Sequence, residues 1–271
     1  MRALVFILAL LASTVVFGQR DVRALKYGKE KQHYLDLFLP KTVTRDTPVL
    51  VLLHGGAWSM GGNEYTDKHA RDLRDRGIIV ANVDYRYVSN TISGKNLIDD
   101  IDSAITFLKF VSKEYGFGKT KLHIGGISAG AHLALLYGYT HSGILSISAL
   151  CAPSRMDGVE AIAFIKKNGH LDIIEKVAGA KFNETGPNPA FESISPYNRI
   201  TDVPTLLIHG DADPLVPVEL SKALFARLQE LKVDAKLEIR KGSAHDAGMN
   251  NADYEAQNLS AIIDWIRTHN H

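Results

Sequence analysis

Apolar positions recur along this chain with two different periods, and the switching between them lays out its elements. Residues 22–27 and 33–39 read as two edge strands, the second alternating polar and apolar as a strand with one wet face does, and Gly28 with the charged Lys29-Glu30-Lys31 forms the turn between them. Apolar runs of the length a buried parallel strand needs follow at 49–53, behind Pro48, and at 78–83, 144–150 and 204–210. A further short apolar strand begins at Lys121 and runs into a crowded small-residue turn and a helix opening on Ala129; residues 236–240 make the last strand. Amphipathic stretches separate these runs. They are 63–76, with Ala70 and Leu73 and a stop at Gly77; 96–115, with Ile98, Ile101, Ile105, Leu108 and Val111 on one stripe; 218–231; and 251–268, with Leu259, Ile262, Ile263 and Ile266 inward. Strands alternating with helices predict an α/β fold, a mostly parallel eight-stranded sheet flanked by helices.

Two stretches break the alternation. Residues 154–202 read as helical pieces at 157–167 and 171–177 followed by Gly179, Gly186, Pro187, Pro189 and Pro196. Residues 1–18 have a single charge at Arg2, an apolar run continuing through Val15-Val16-Phe17, and small Gly18 before polar Gln19. That is the anatomy of a signal peptide, too short to span comfortably as a mature helix, with an uncleaved membrane anchor as the other reading. Removing it takes the 31 basic residues to 30, level with the 30 acidic ones, so no basic field argues for nucleic acid or an anionic membrane as a partner. The 253 residues from 19 to 271 are enough for one large domain, and 45% apolar with 23% charged residues is ordinary for a soluble one. The single cysteine, Cys151, permits no internal disulfide and reads as a small buried hydrophobe.

Candidate chemistry lies at the ends of the predicted strands. Gly126-Ile127-Ser128-Ala129-Gly130 matches G-x-S-x-G between a strand and a helix, where a sharp turn leaves no room for side chains beside the serine and lifts its hydroxyl above the sheet. A plain tight turn is the bland alternative. His54-Gly55-Gly56-Ala57-Trp58 follows the 49–53 strand, and successive glycines let backbone N–H groups turn toward a developing alkoxide without a Cβ in the way. Asp213 stands in the loop after 204–210, with Asp211 as a competing acid, and His245 in the loop after the last strand. No Cys/His cluster with metal-ligand spacing appears, and no cofactor is called for.

Taken together these motifs resemble the serine esterases of the α/β-hydrolase fold, over nearly the whole of residues 19–271. The order Ser128, Asp213, His245 is that fold's order, and H-G-x-x-D-x-x-V-P maps onto His209, Gly210, Asp213, Val216 and Pro217. The resemblance implies Ser128 as nucleophile, His245 as base, Asp213 as the acid that fixes its tautomer, and an oxyanion hole from the N–H groups of Gly55, Gly56 and Ala129. Where the family has a third glycine this chain has Ala57, which puts a third donor from that loop in question. Asp84 and Arg86, in the D-Y-R segment after 78–83, read as a structural ion pair or loop brace, and 154–202 as a small cap inserted after the sixth strand.

The implied function is a secreted or periplasmic serine esterase that cleaves short-acyl esters, its partner a small-molecule or oligosaccharide ester, with no stable membrane association once the leader is removed. Acetyl or feruloyl groups on plant polysaccharides are among the expected substrates, because the H-G-G-x-W loop resembles that of carbohydrate esterases. An arylformamidase-like amidohydrolase and a non-catalytic hydrolase-fold binding module are the competing readings. If the leader is processed, the exported protein begins at Gln19. Mass spectrometry of the secreted chain checks this, and an intact 1–18 segment would mean an anchored form.

Overall fold

The computed structural model describes residues 18–271; the leader assigned to 1–18 lies, Gly18 apart, outside the described residues. Eight strands, β1 (Arg20–Lys26), β2 (Tyr34–Leu39), β3 (Val49–Leu53), β4 (Ile79–Val83), β5 (Leu122–Ile127), β6 (Ile147–Leu150), β7 (Thr205–Gly210) and β8 (Ala235–Arg240), form one sheet in the order 1-2-4-3-5-6-7-8. β1 and β2 make the antiparallel edge, and every pairing from β4 onward through β3 to β8 is parallel. The eight-stranded, mostly parallel α/β arrangement read from the periodicity is therefore the one observed.

Both faces of the sheet are covered, which is why its central strands read as apolar runs. β3 turns Val49, Val51 and Leu53 toward α2 (Gly94–Tyr115), α3 (Ala129–Thr140) and α7 (Val218–Glu230), and Leu50 and Leu52 toward α1 (Asp67–Asp75) and α8 (Ala252–Thr268). Asn82 interrupts β4 with a buried polar side chain that is fully engaged: it accepts from the Thr66 hydroxyl at 2.6 Å and donates to the Asn63 carbonyl at 2.7 Å. The same contacts hold residues 63–66 as a 3-10 turn, so α1 is shorter than the amphipathic pattern suggests. α2 starts two residues earlier than expected because the Asn96 side chain accepts the Ser93 N–H at 2.9 Å, half of a capping box. Between β6 and β7, the segment 154–202 holds α4 (Val159–Lys167), α5 (Leu171–Ala178), the short α6 (Pro189–Ser193) and a 3-10 turn. The two longer helices match the expected pieces; α6 was not foreseen among the prolines.

His123 and His132 are among the histidines built into this core. His123 on β5 has Nδ1 2.8 Å from the Ser146 hydroxyl and Nε2 3.3 Å from the Asn270 amide oxygen. Burial pushes its imidazole down to about 4, against the opposing hydrogen bond to Asn270, and burial likewise pushes His132 on α3 down to about 4. Unfolded, both rings take up a proton near 6.5; folded, only near 4. Between those values the unfolded chain binds more protons, so stability falls as pH falls. By pH 5 each ring should have removed about 2 kcal/mol. In urea unfolding at pH 7 and pH 5, His123→Gln should lose about 2 kcal/mol less over that interval than the wild type, and equal losses would exclude His123 as a source.

Candidate active site

The reactive side chains all stand beyond the carboxyl ends of parallel strands, the edge where open α/β sheets hold their ligands. Ser128 occupies the one-residue junction between β5 and α3 with φ 55° and ψ −120°, a left-handed conformation that a non-glycine residue adopts only under constraint. Its own N–H donates to the Leu150 carbonyl at 2.8 Å, which anchors the corner to β6. The flanking glycines have no alternative: a Cβ on Gly130 would stand 2.3 Å from the Leu53 carbonyl oxygen and 2.4 Å from that of His54, and one on Gly126 would meet Leu53 at 2.6 Å. Three backbones therefore touch where the serine turns.

His245 reaches this corner from the loop after β8. That loop crosses directly over Gly210, where a Cβ would lie 2.2 Å from the Ser243 carbonyl oxygen and 2.4 Å from that of Ala244. The Ala212 N–H to Ser243 carbonyl bond (3.0 Å) and the Gly242 N–H to Asp211 carboxylate bond (2.5 Å) tie the two loops together. Asp211, the competing acid, is thus an exposed tether between loops, and Asp213 is the one that meets the histidine. The Asp213 Oδ2 accepts the His245 Nδ1–H at 2.7 Å, which leaves His245 Nε2 to accept the Ser128 hydroxyl at 2.8 Å. The structure thus brings Ser128, His245 and Asp213 together in one hydrogen-bonded row.

The surroundings of Asp213 go beyond what the motifs reveal. Its Oδ1 accepts the Leu215 and Val216 N–H groups at 2.8 and 2.9 Å, and its Oδ2 also faces Nε2 of the fully buried His209 at 3.1 Å. His209 has Nε2 within 3.0 Å of the Val216 carbonyl as well, so that nitrogen carries the proton and Nδ1 accepts from the Ser221 hydroxyl at 2.7 Å. Burial by itself would raise the Asp213 carboxyl. The hydrogen bonds from His209, His245, Val216 and Leu215 outweigh it and hold the group well below the usual carboxylate range, ionised at any working pH. His209 was legible only as a motif letter. Its role as a second donor to the acid depends on its facing Asp213 across the loop.

Cys151 Sγ, a ring nitrogen of His209 and a carboxylate oxygen of Asp213 lie within 4.8 Å of one another, a three-donor cluster that residue spacing does not disclose. It is poorly suited to a metal, since a coordinating thiol must ionise. Burial pushes the Cys151 thiol up to about 12, and the histidine nitrogen facing the acid is a donor. The reading of Cys151 as a small buried residue holds.

On the other side of the serine, a Cβ on Gly55 would lie 3.4 Å from the Ser128 Cβ, so the glycine loop presses against the serine corner. Gly56 has φ 122°, and a Cβ there would overlap the Met60 carbonyl oxygen at 1.9 Å. Ala57 and Trp58 continue in the left-handed region at φ 48° and 57°, so the alanine in place of a third glycine keeps a glycine-like backbone. The loop is held from its far end, where the Trp58 indole N–H donates to His132 Nδ1 at 3.1 Å and His132 Nε2–H donates to the Ile194 carbonyl at 2.7 Å. The Ala129 N–H is the first of α3 and belongs to the group that a helix leaves without an internal partner. The expected pairing of Asp84 with Arg86 does not form. Arg86 pairs with Asp100 at 2.6 Å, and Asp84 lies 3.0 Å from His54, because the two side chains leave the D-Y-R segment in different directions.

A cavity of about 350 Å³ opens on Ser128 and His245. Its walls are mostly apolar, with Trp58, Met156, Phe164, Ile173, Val216 and Leu220 among them, while Arg155, Glu160 and Glu219 bring charge to it. A serine hydroxyl bonded to a histidine bonded to a carboxylate, beside backbone donors and an apolar cavity, is equipped for nucleophilic acyl transfer.

A family model described as BD-FAE matches residues 35–228. The chain belongs to the BD-FAE family. It is 28% identical over 243 residues to "Probable isoprenylcysteine alpha-carbonyl methylesterase ICMEL1" of Arabidopsis thaliana, covering 82% of this chain and 50% of that protein. It is 32% identical over 111 residues to "Kynurenine formamidase" of Salmo salar, covering 41% of this chain and 36% of that one. The chain thus spans half or less of the length of these two relatives. Among solved structures, "Truncated form of carbohydrate esterase from gut microbiota" superposes with a TM-score of 0.79 at 18% identity, covering 94% of this chain and 98% of that one. The likeness is one of fold, and the fold is the α/β-hydrolase fold expected from the motifs.

The two aspartates give the sharpest test of this geometry. Asp213→Asn should lower kcat by roughly 10⁴, by the wrong-tautomer effect of losing a triad acid, whereas Asp211→Asn should change it little. Steady-state kinetics on the two folded variants checks the ranking, and the reverse order would place the acid two residues earlier.

Proposed function

We propose that this chain is a serine esterase that hydrolyses small carboxylic esters through an acyl-enzyme on Ser128. The observation that carries the reading is the unbroken hydrogen-bonded chain from the Ser128 hydroxyl through His245 to Asp213, at the mouth of an apolar cavity. His245 Nε2 takes the hydroxyl proton as Ser128 Oγ attacks the ester carbonyl, and Asp213 stabilises the imidazolium that forms. The N–H groups of Gly55, Gly56 and Ala129 receive the negative oxygen of the tetrahedral intermediate. Collapse expels the alcohol, which takes its proton from His245. Water, deprotonated by the same nitrogen, then releases the acid and restores Ser128. No cofactor enters the sequence.

Substrate size follows from the cavity. At about 350 Å³ it lies at the small end of ligand pockets, which run from about 300 to 1,000 Å³. α4 and α5 turn Phe164, Ile165, Ile173 and Ile174 inward, so the acyl group meets an apolar wall. Short acyl chains, and feruloyl or acetyl groups on a polysaccharide, suit this volume, and the structural likeness to a carbohydrate esterase supports the sugar-ester half of the reading. The leader-like residues 1–18 support export, with action outside the cytoplasm.

An arylformamidase-like reading uses the same groups on an N-formyl carbon and draws support from the kynurenine formamidase match over 111 residues. A binding module would have no use for a complete triad. Each methylene buried in the apolar wall contributes about 0.8 kcal/mol, close to fourfold in kcat/KM. Activity on p-nitrophenyl esters should therefore rise from acetyl to butyryl and fall steeply by decanoyl, with N-formylkynurenine a poor substrate. A preference for decanoyl, or for the formamide over every ester, would overturn the proposal.

A further inference from the structure

His54 closes β3 immediately before the two oxyanion glycines, and its ring is completely buried. Nδ1 lies 2.6 Å from the Gly55 carbonyl oxygen and Nε2 lies 3.0 Å from Asp84 Oδ1. A carbonyl oxygen can only accept, so Nδ1 must carry a proton. The Asp84 Oδ1 already accepts the Tyr85 N–H at 3.0 Å, which marks it as an acceptor too. A neutral ring would set a nitrogen lone pair against one of these oxygens in a site closed to water, and a ring protonated on both nitrogens satisfies both contacts. The Tyr85 ring lies flat on the imidazole, 4.3 Å between centroids and 6° between planes, and its hydroxyl donates to the His54 carbonyl at 2.6 Å. The aromatic face is the surface that a cation prefers.

We propose that His54 is an imidazolium paired with the Asp84 carboxylate, and that this buried ion pair positions and polarises the oxyanion hole. Gly55 O and the Gly56 N–H belong to one planar peptide and point in opposite directions. A short charge-assisted bond on the carbonyl therefore fixes the direction of the N–H and strengthens it as a donor, since bonds in a chain polarise one another. Gly61 lies close against this contact, where a Cβ would fall 2.7 Å from Gly55 O and 3.0 Å from His54 Nδ1. Ser128 thus stands between two histidine–carboxylate pairs, the partly exposed His245 with Asp213 on the base side and the buried His54 with Asp84 on the oxyanion side. His54 acts through the Gly55–Gly56 peptide and touches no reacting atom, which makes it a positioning residue.

The mechanistic half rests on the esterase reading, and the protonation half does not, so two readouts separate them. Nitrogen-15 NMR of the resting enzyme at neutral pH should show both His54 ring nitrogens at protonated shifts with two slowly exchanging N–H protons, assigned by their loss in His54→Asn. A neutral-ring pattern overturns the proposal, whether or not the protein cleaves esters. In kinetics, His54→Asn keeps a neutral donor near Gly55 and Asp84→Asn removes the counter-ion while leaving the ring. Each should lower kcat about 10- to 100-fold, less than the roughly 10²- to 10³-fold cost of deleting an oxyanion donor outright. KM should stay within about twofold, and affinity for a trifluoromethyl ketone, which forms the tetrahedral adduct, should fall in step with kcat. Wild-type kcat in either folded variant overturns the positioning role. Absence of ester turnover by the wild type would sink the proposed function and leave the NMR result standing as the test of the ion pair.

Discussion

The structure depends on backbone meeting backbone at one point. The end of β3, the end of β5 and the first turn of α3 come together so closely that Gly126 and Gly130 have the carbonyls of Leu53 and His54 where side chains would be. This contact carries Ser128 into a left-handed conformation that costs about 1–3 kcal/mol, and the neighbouring strands hold it there. It also brings the glycine loop against the serine, so the positions of the Ser128 hydroxyl and of the loop's N–H groups are set by one packing contact. An alanine at position 130 would push the strand that leads into the glycine loop away from the helix that Ser128 opens. The effect would be on the geometry of both together.

The acid side repeats the device. Gly210 lets the loop after β8 ride directly over the end of β7, and this close pass delivers His245 to Asp213. The carboxylate is then held by four N–H donors, two from its own loop and two from histidines. A group held this way stays ionised and does not turn, which is what a base needs from the residue behind it. The charge on Asp213 is balanced by geometry that the loop supplies before any substrate arrives.

What the sequence made legible were constraints carried by contiguous residues. A tight turn demands glycines at fixed spacing, so the corners at 126–130 and 54–56 could be read directly, while the places of Asp213 and His245 came from the resemblance to the α/β-hydrolase fold. The apolar periods located the strands because both faces of the sheet are covered. Pairings across space were not legible. Nothing local reveals that His209 faces Asp213, that Trp58 reaches Ile194 through His132, or that Asp84 turns to His54 and leaves Arg86 to Asp100. The cavity wall belongs with these: helices sort residues by angle, and the faces of α4 and α5 toward the cavity are the apolar ones.

The central claim is that the carbonyl carbon of a substrate becomes bonded to Ser128. Acid quenching of the wild-type protein during turnover of p-nitrophenyl butyrate, followed by peptide mapping, reads this directly. The account predicts a butyryl group on the peptide bearing Ser128, and none in a folded Ser128→Ala variant, whose turnover should be abolished. A butyryl group on another residue, or wild-type-like hydrolysis by that folded variant, would contradict it.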